Sequence, residues 1–406
     1  MERKLIQLSD VITDIAAGPF GSNLKVSCFV NDGFPIIDGA NLKSFKVTDN
    51  ITKFVTEEKA RSLHRSIAKR GDIVVTISGT LGQIAYIPED SKYEEYLCSQ
   101  RQFRVTFDTT KVYVPYLAFY FHTYEGQHKI LSFANQVGVP ALSQPLKNFR
   151  RITIQLPDID TQKKIAIFVE LINEKIEQNE SINNNLEQQA RAIFKAWFVD
   201  FELNSGIMPS NWHISQLGSV ARISTEVFSP SKNPNVEVEH YSIPSYDEKH
   251  YPVFESSNGI KSNKFRLTSN SVMISKLNPD TKRIWRPYCI SDKPICSTEF
   301  IVYEPINPLN RDFIYSIVDS TVFSSYLCSH TTGSTNSGQR TTPSITLNYN
   351  IVLPDDETLR SFCSIVSPMY DAIENNVKEN QKLAVTRDIL LPKLMSGELD
   401  ISNIDL

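Results

Sequence analysis

Between Asp158 and Phe201 no proline or glycine breaks the chain. Apolar or amide residues recur there at alternating steps of four and three: Ile165, Val169, Ile172, Ile176, Asn179, Asn183, Leu186, Ala190, Ile193 and Trp197. That spacing lines one face of a helix with a heptad-type seam, and residues such as Lys164, Glu170, Glu174, Glu177, Glu180, Glu187 and Arg191 between the seam positions supply the solvated remainder. At 1.5 Å per residue the helix would span roughly 55 to 65 Å, far more than an ordinary globular helix. An apolar face of that length needs a cover.

The chain supplies one itself. Adding 197 to each seam position gives Phe362, Val366, Met369, Ile373, Asn376, Asn380, Leu383, Arg387, Leu390 and Leu394, and the lead-in Leu156-Pro157-Asp158 returns as Leu353-Pro354-Asp355. Two asparagines fall on two asparagines. A buried amide is unfavourable unless it meets a partner, so such residues fix the register of a helix pair. Packed antiparallel about their middles, the helices would bring Asn179 to Asn380 and Asn183 to Asn376. The plainer alternative leaves the asparagines facing solvent on two unrelated amphipathic helices. A repeat this long divides the sequence into similar halves: a domain at 1–157, a long helix at 158–202, a second domain at 203–353, and a second long helix with a tail at 354–406. The fold class expected is α+β, with two similar mixed domains joined by an antiparallel helix pair.

Each domain is outlined by turn and strand signals. In the first, Gly18-Pro19-Phe20-Gly21-Ser22-Asn23-Leu24-Lys25 reads as a loop, Glu57 to Ala68 as a charged helix, and Gly71 to Ile87 as strand, polar loop, strand. Cys98 to Val105 reads as one half-buried strand, Pro115 to Leu131 as an aromatic helix, and Val137 to Ser143 as the closing loop. The second domain echoes this outline: Gln216-Leu217-Gly218-Ser219-Val220 follows Gln7 to Val11, Asn270 to Ser275 follows Gly71 to Thr76, and Cys296-Ser297 follows Cys98-Ser99. The loop Thr332 to Arg340 precedes the second helix as Val137 to Ser143 precedes the first. Only Ser78-Gly79-Thr80-Leu81-Gly82 has no clear counterpart.

The formal charge of −4 hides an uneven distribution: +4 over 1–157, −4 over 158–202, +1 over 203–353 and −5 over 354–406. The acid sits in the helical regions, and the two domains are mildly basic, which permits contact with phosphates. Chemistry of other kinds is sparse. Gly333 to Gly338 has phosphate-loop glycine spacing, but Gln339 and Arg340 stand where Lys and Ser/Thr are required. The six cysteines and seven histidines lack metal-ligand spacing. No stretch of membrane-spanning length or secretory signal is evident, so a reduced, cytoplasmic protein is expected.

Several segments together resemble one family. Leu156-Pro157-Asp158-Ile159-Asp160-Thr161-Gln162-Lys163-Lys164-Ile165-Ala166 resembles the start of the central helix of type I restriction-modification specificity subunits. Gly18 to Lys25, Gly33-Phe34-Pro35-Ile36-Ile37, Gly71 to Ile87 and Leu391-Pro392-Lys393-Leu394-Met395-Ser396-Gly397-Glu398-Leu399 fit the same pattern in the same order. The resemblance implies a non-catalytic subunit with two target recognition domains, each reading one half of a split site in double-stranded DNA. The paired helices would set the gap between halves and dock methyltransferase subunits that use S-adenosylmethionine. A restriction and translocase subunit would add ATP- and Mg²⁺-dependent cleavage. None of these cofactors is expected in this chain.

Arginine reads guanine and Asn or Gln adenine, whereas Lys more often holds phosphate. The candidate DNA contacts are therefore Asn23, Lys25, Ser78, Thr80, Gln83, Arg101 and Arg104 in the first domain. In the second they are Lys276, Asn278, Lys282, Arg283, Arg286, Gln339 and Arg340. Two rival readings remain at this point: an adaptor whose coiled coil binds protein and whose domains read no DNA, and an enzyme with an unrecognised active site.

Overall fold

The computed structural model describes residues 3–135, 138–332 and 338–401, so Met1, Val137 and the loop residues Gly333 to Ser337 lie outside the described residues. The chain forms two compact units, Met1–Ile176 with Lys382–Leu406, and Glu177–Gln381. One continuous helix, Ile159–Phe198, and a second, Asp356–Ser396, each contribute to both units.

Within either unit the two helices run antiparallel. In the first unit Ile165, Ala166 and Val169 are buried in one apolar core with Leu391, Leu394 and Met395, and Arg387 Nη1 donates to Asn173 Oδ1 at 2.8 Å. In the second, Ala190, Phe194 and Phe198 share a core with Phe362, Val366 and Tyr370, the Phe198 and Phe362 rings lying 5.0 Å apart. The amides meet between the helices. Asn179 Nδ2 donates to Asn380 Oδ1 at 2.8 Å, and Asn376 Nδ2 to Asn183 Oδ1 at 2.8 Å. Asn179 and Asn183 are buried, and the remaining seam positions, Ile172, Ile176, Leu186, Met369, Ile373 and Leu383 among them, are buried or half-buried with none exposed. The C-terminal helix runs through Pro368, which is exposed, so the Ser364 carbonyl that loses its backbone donor faces water rather than the seam.

The repeated lead-in caps both helices the same way. Asp158 accepts from the Thr161 backbone N–H at 2.9 Å and its hydroxyl at 2.7 Å, and Asp355 accepts from both groups of Thr358 at 2.9 Å, with Trp212 Nε1 at 3.0 Å. Those donors hold both carboxyls below the usual carboxylate range, Asp355 at about 2. Each satisfies an otherwise unpaired helix-start N–H.

The globular parts of the two units share a plan. A four-stranded antiparallel sheet takes the order Ile12–Ala17, Gln102–Phe107, Ile73–Thr76, Ile84–Tyr86 in the first, and Ala221–Ser224, Phe300–Pro305, Val272–Ser275, Ile284–Trp285 in the second. A five-stranded sheet joins Phe34–Ile37 parallel to Glu95–Cys98, and Glu237–Tyr241 parallel to Pro294–Ser297. One short strand changes edge: Phe29–Val30 pairs with Phe54–Val55, whereas Val227–Phe228 pairs with Lys264–Arg266.

Three local expectations change. The charged helix ends at Ser62, and Ile67–Lys69 is a strand against Glu95–Cys98. The aromatic helix is two helices, Val114–His122 and Tyr124–Leu131, parted at Thr123, whose hydroxyl accepts from Gly126 N. Cys98 to Val105 is not one strand: a turn at 99–101 carries the chain from one sheet to the other. A period-two pattern continues across such a turn, so alternation alone does not reveal it.

Two predictions follow from the helix pair. Asn179→Leu removes the hydrogen bonds from Asn179 to Asn380 and Glu379 and should destabilise the chain by about 1–3 kcal/mol in urea unfolding, while adding Asn380→Leu should recover part of that loss. The capping carboxyls have depressed pKa values, so their stabilisation is present above a pH of about 4 and lost as pH falls towards 2. The Asp158→Asn/Asp355→Asn variant should therefore show a shallower fall in unfolding temperature between pH 5 and 2 than the parent chain.

Candidate nucleic-acid interface

In the first unit four loops are fastened to one another by backbone bonds. Gly18 N donates to Gln102 O at 2.7 Å, Ile77 N to Arg101 O at 2.6 Å, Gly79 N to Pro140 O at 3.0 Å, and Leu142 N to Ile77 O at 2.8 Å. Gly18 is required: a Cβ there would lie 1.8 Å from Ser99 O. Gly79 has φ +95°, which frees its N–H to cross to the neighbouring loop. This frame gathers Asn23, Lys25, Thr80 and Arg101, all exposed, and half-buried Ser78. Lys25 and Arg101 have no carboxylate partner among the described residues.

The remaining candidates of this unit serve the frame. Gln83 Nε2 donates to Gly39 O at 3.0 Å and its Oε1 accepts from Thr76 at 3.2 Å. Arg104 is buried, with Nη2 on Asp14 Oδ2 at 2.6 Å and Nε on Arg65 O at 3.0 Å. The Arg104 hydrogen bond holds the Asp14 carboxyl below its usual range. Neither side chain is presented to a ligand.

The second unit repeats the cross-links. Lys276 N donates to Glu299 O at 2.9 Å, Thr341 N to Lys276 O at 3.0 Å, and Asn278 N to Gln339 O at 2.9 Å; Leu277 bridges Arg340 as Ser78 bridges Ala141. The counterpart of Ser78-Gly79 thus exists at Leu277-Asn278. Sequence comparison passes over it because Asn278, at φ +49°, takes the left-handed conformation that glycine takes at 79. Lys276 and Gln339 sit half-buried on this frame, and Arg340 Nε reaches Glu299 Oε2 at 3.0 Å.

Lys282, Arg283 and Arg286 do not join them. Lys282 Nζ lies 2.5 Å from Asp319 Oδ1, a carboxylate shared with Arg191 of the central helix, also at 2.5 Å. Arg283 forks onto Asp247 at 2.6 and 2.9 Å. Arg286 reaches Asp312 at 2.8 Å, Asp371 at 2.6 Å and Glu374 at 2.9 Å, the last two on the C-terminal helix. Burial opposes the charged form of Arg286, yet Asp312 and Asp371 hold its pKa above the ordinary value. Its guanidinium is directed inward, and the expectation that it faces DNA is corrected accordingly.

The first unit fastens to its helices with less charge. The Tyr86 hydroxyl donates to Glu170 at 2.7 Å, burial pushing the carboxyl up from its usual range, and Arg387 lies 5.2 Å from the Phe45 ring centroid.

These differences separate structural from surface cations by experiment. Arg286→Met abandons Asp312, whose side chain is 6% exposed, and should cost about 3–5 kcal/mol in chemical unfolding. Arg101→Ala should stay within about 0.5 kcal/mol of the parent.

Comparison with known proteins follows the same lines. Residues 22–188 match the family described as Type I restriction modification DNA specificity domain. The type I restriction enzyme MjaIX specificity subunit of Methanocaldococcus jannaschii is 23% identical over 382 residues, covering 86% of this chain and 82% of that protein. The HindI specificity subunit of Haemophilus influenzae is 22% identical over 330 residues, covering 61% and 69%. In fold, the chain is similar to the crystal structure of a type I restriction-modification S subunit from M. genitalium, with a TM-score of 0.61 at 13% identity over 97% of this chain and 96% of that one.

Proposed function

We propose that this chain is a type I restriction-modification specificity subunit that selects the DNA sequence on which a multisubunit complex acts, a reading supported by the match of residues 22–188 to the DNA specificity domain and by the similarity to the MjaIX specificity subunit. Each globular domain reads one half of a bipartite site, and the helix pair sets the gap and docks methyltransferase subunits. The observation that carries this reading is the duplicated loop frame with different side chains at its tips. Ser78, Thr80 and Arg101 on one copy are replaced by Leu277, Pro279 and Glu299 at the matching places of the other. A shared scaffold with unlike tips suits two readers of unlike sequences, because bases are distinguished by the donor, acceptor and apolar groups presented to them.

Two weak sites held rigidly bind tightly where their targets recur at the matching separation. S-adenosylmethionine, ATP and Mg²⁺ are assigned to the methyltransferase and restriction subunits, and this chain to no reaction of its own. The adaptor reading gives way to the match with a DNA specificity domain. No helix among the described residues is long and apolar enough to cross a membrane.

Methylome sequencing of cells with and without the gene tests the proposal. A split motif should disappear with the gene, and shortening both long helices by the same number of turns should change its gap while leaving both halves intact. A methylation pattern indifferent to the gene would refute it.

A further inference from the structure

Phe20 is 84% exposed, an unusual place for a phenyl ring in a loop so firmly held. The loop is anchored on one side by Gly18, which lies against Ser99 O and bonds to Gln102 O. On the other side stands Gly21, where a Cβ would come 2.6 Å from Gln100 Oε1. Asn23 N closes the turn onto Phe20 O at 2.8 Å. The ring is therefore held out by an ordered backbone, so its exposure is built into the turn. The same loop and the loops cross-linked to it carry the exposed Asn23, Lys25, Thr80 and Arg101, and a second apolar tip, Val139, at 68% exposure.

An aromatic tip on a loop frame that also carries an exposed hydroxyl, an amide and two cations without carboxylate partners among the described residues fits a nucleic-acid groove. The cations suit phosphates, and the ring suits the base stack. The corresponding loop of the second unit is built otherwise. After the matching strand Ala221–Ser224 the chain is shorter, Phe228 turns inward with Arg266 5.1 Å from its ring centroid, and only Val227 is turned out.

We infer that Phe20 is the apolar base-contacting residue of the first domain, a wedge against the stacked bases of one half-site that the second domain does not use. The inference rests on the DNA-reading function proposed above. Fixing the ring before binding lowers the entropic cost of placing it, and contact with a base step makes it a determinant of sequence preference beyond the phosphate contacts.

The test uses the full chain assembled with its methyltransferase subunits, on duplexes that carry the motif methylated in cells. 2-Aminopurine is placed at one position at a time in each half. Fluorescence should rise at one step in one half only. Phe20→Ala should abolish that rise and weaken motif binding roughly 5- to 150-fold, with unchanged binding to unrelated duplexes and an unchanged unfolding temperature; Phe20→Trp should restore the motif binding. Lys25→Ala should instead weaken both classes of duplex and lower the salt slope by about one. If Phe20→Ala keeps the affinity and the fluorescence pattern while the parent complex still discriminates its motif, the wedge is refuted and the DNA reading stands. Loss of assembly with the methyltransferase in Phe20→Ala would likewise refute it, in favour of a protein contact. A parent complex that does not discriminate sequences would remove both readings.

Discussion

Two amide pairs inside an otherwise apolar helix seam set the register on which everything else is placed. Asn179 with Asn380, and Asn183 with Asn376, meet at hydrogen-bonding distance. A one-heptad slip would set Asn179 against Ile373 and leave buried amides unpaired, at about 1–3 kcal/mol for each group stranded. Leucine pairs at these places would pack as well in several registers, because apolar contacts are non-directional. The amides surrender some packing and in return single out one alignment of two 40- and 41-residue helices.

Each globular domain is then tied to the helix segments of its own unit, and the two units solve this differently. In the second, ion pairs around the buried Asp319 and Asp312 and the largely buried Arg286 do the tying: Asp319 takes Arg191 and Lys282, while Arg286 takes Asp312, Asp371 and Glu374. Such clusters contribute little net stability over an apolar substitute but penalise any displacement that unpairs one member. The first unit relies on Tyr86 with Glu170, on Arg387 over Phe45, and on Arg3, which donates to Leu394 O and Met395 O near the end of the C-terminal helix. Both arrangements hold a loop frame at a fixed attitude to the helix segments of its own unit.

The loops above these ties show how one scaffold carries two sets of side chains. Backbone bonds make the frame, Gly79 to Pro140 in one unit and Asn278 to Gln339 in the other, so the frame survives wholesale change of side chains. The tips are free to diverge. Thr80, Arg101, Lys25 and Phe20 give the first domain a cationic face with an apolar apex, whereas Glu299 draws Arg340 into an ion pair on the second.

The sequence by itself determined the features that rest on local repetition. The heptad spacing, the absence of helix breakers before Phe201, the matched asparagines and the repeated Leu-Pro-Asp lead-in are all readable from short-range pattern; the structure displays them as helices and a seam, and adds that the lead-in aspartates cap the helices through Thr161 and Thr358. Tertiary structure decided which polar residues are available. Arg286 and Lys282 resemble Lys25 and Arg101 in any one-dimensional reading, yet they meet carboxylates brought close only by folding, while Lys25 and Arg101 meet none among the described residues. It also decided that the turn at 99–101 divides two sheets, and that Asn278 does the work of a glycine. Periodicity is a property of neighbouring residues, so it can be read along the chain. Charge pairing and loop fastening join residues distant in sequence, and only the folded chain brings them together.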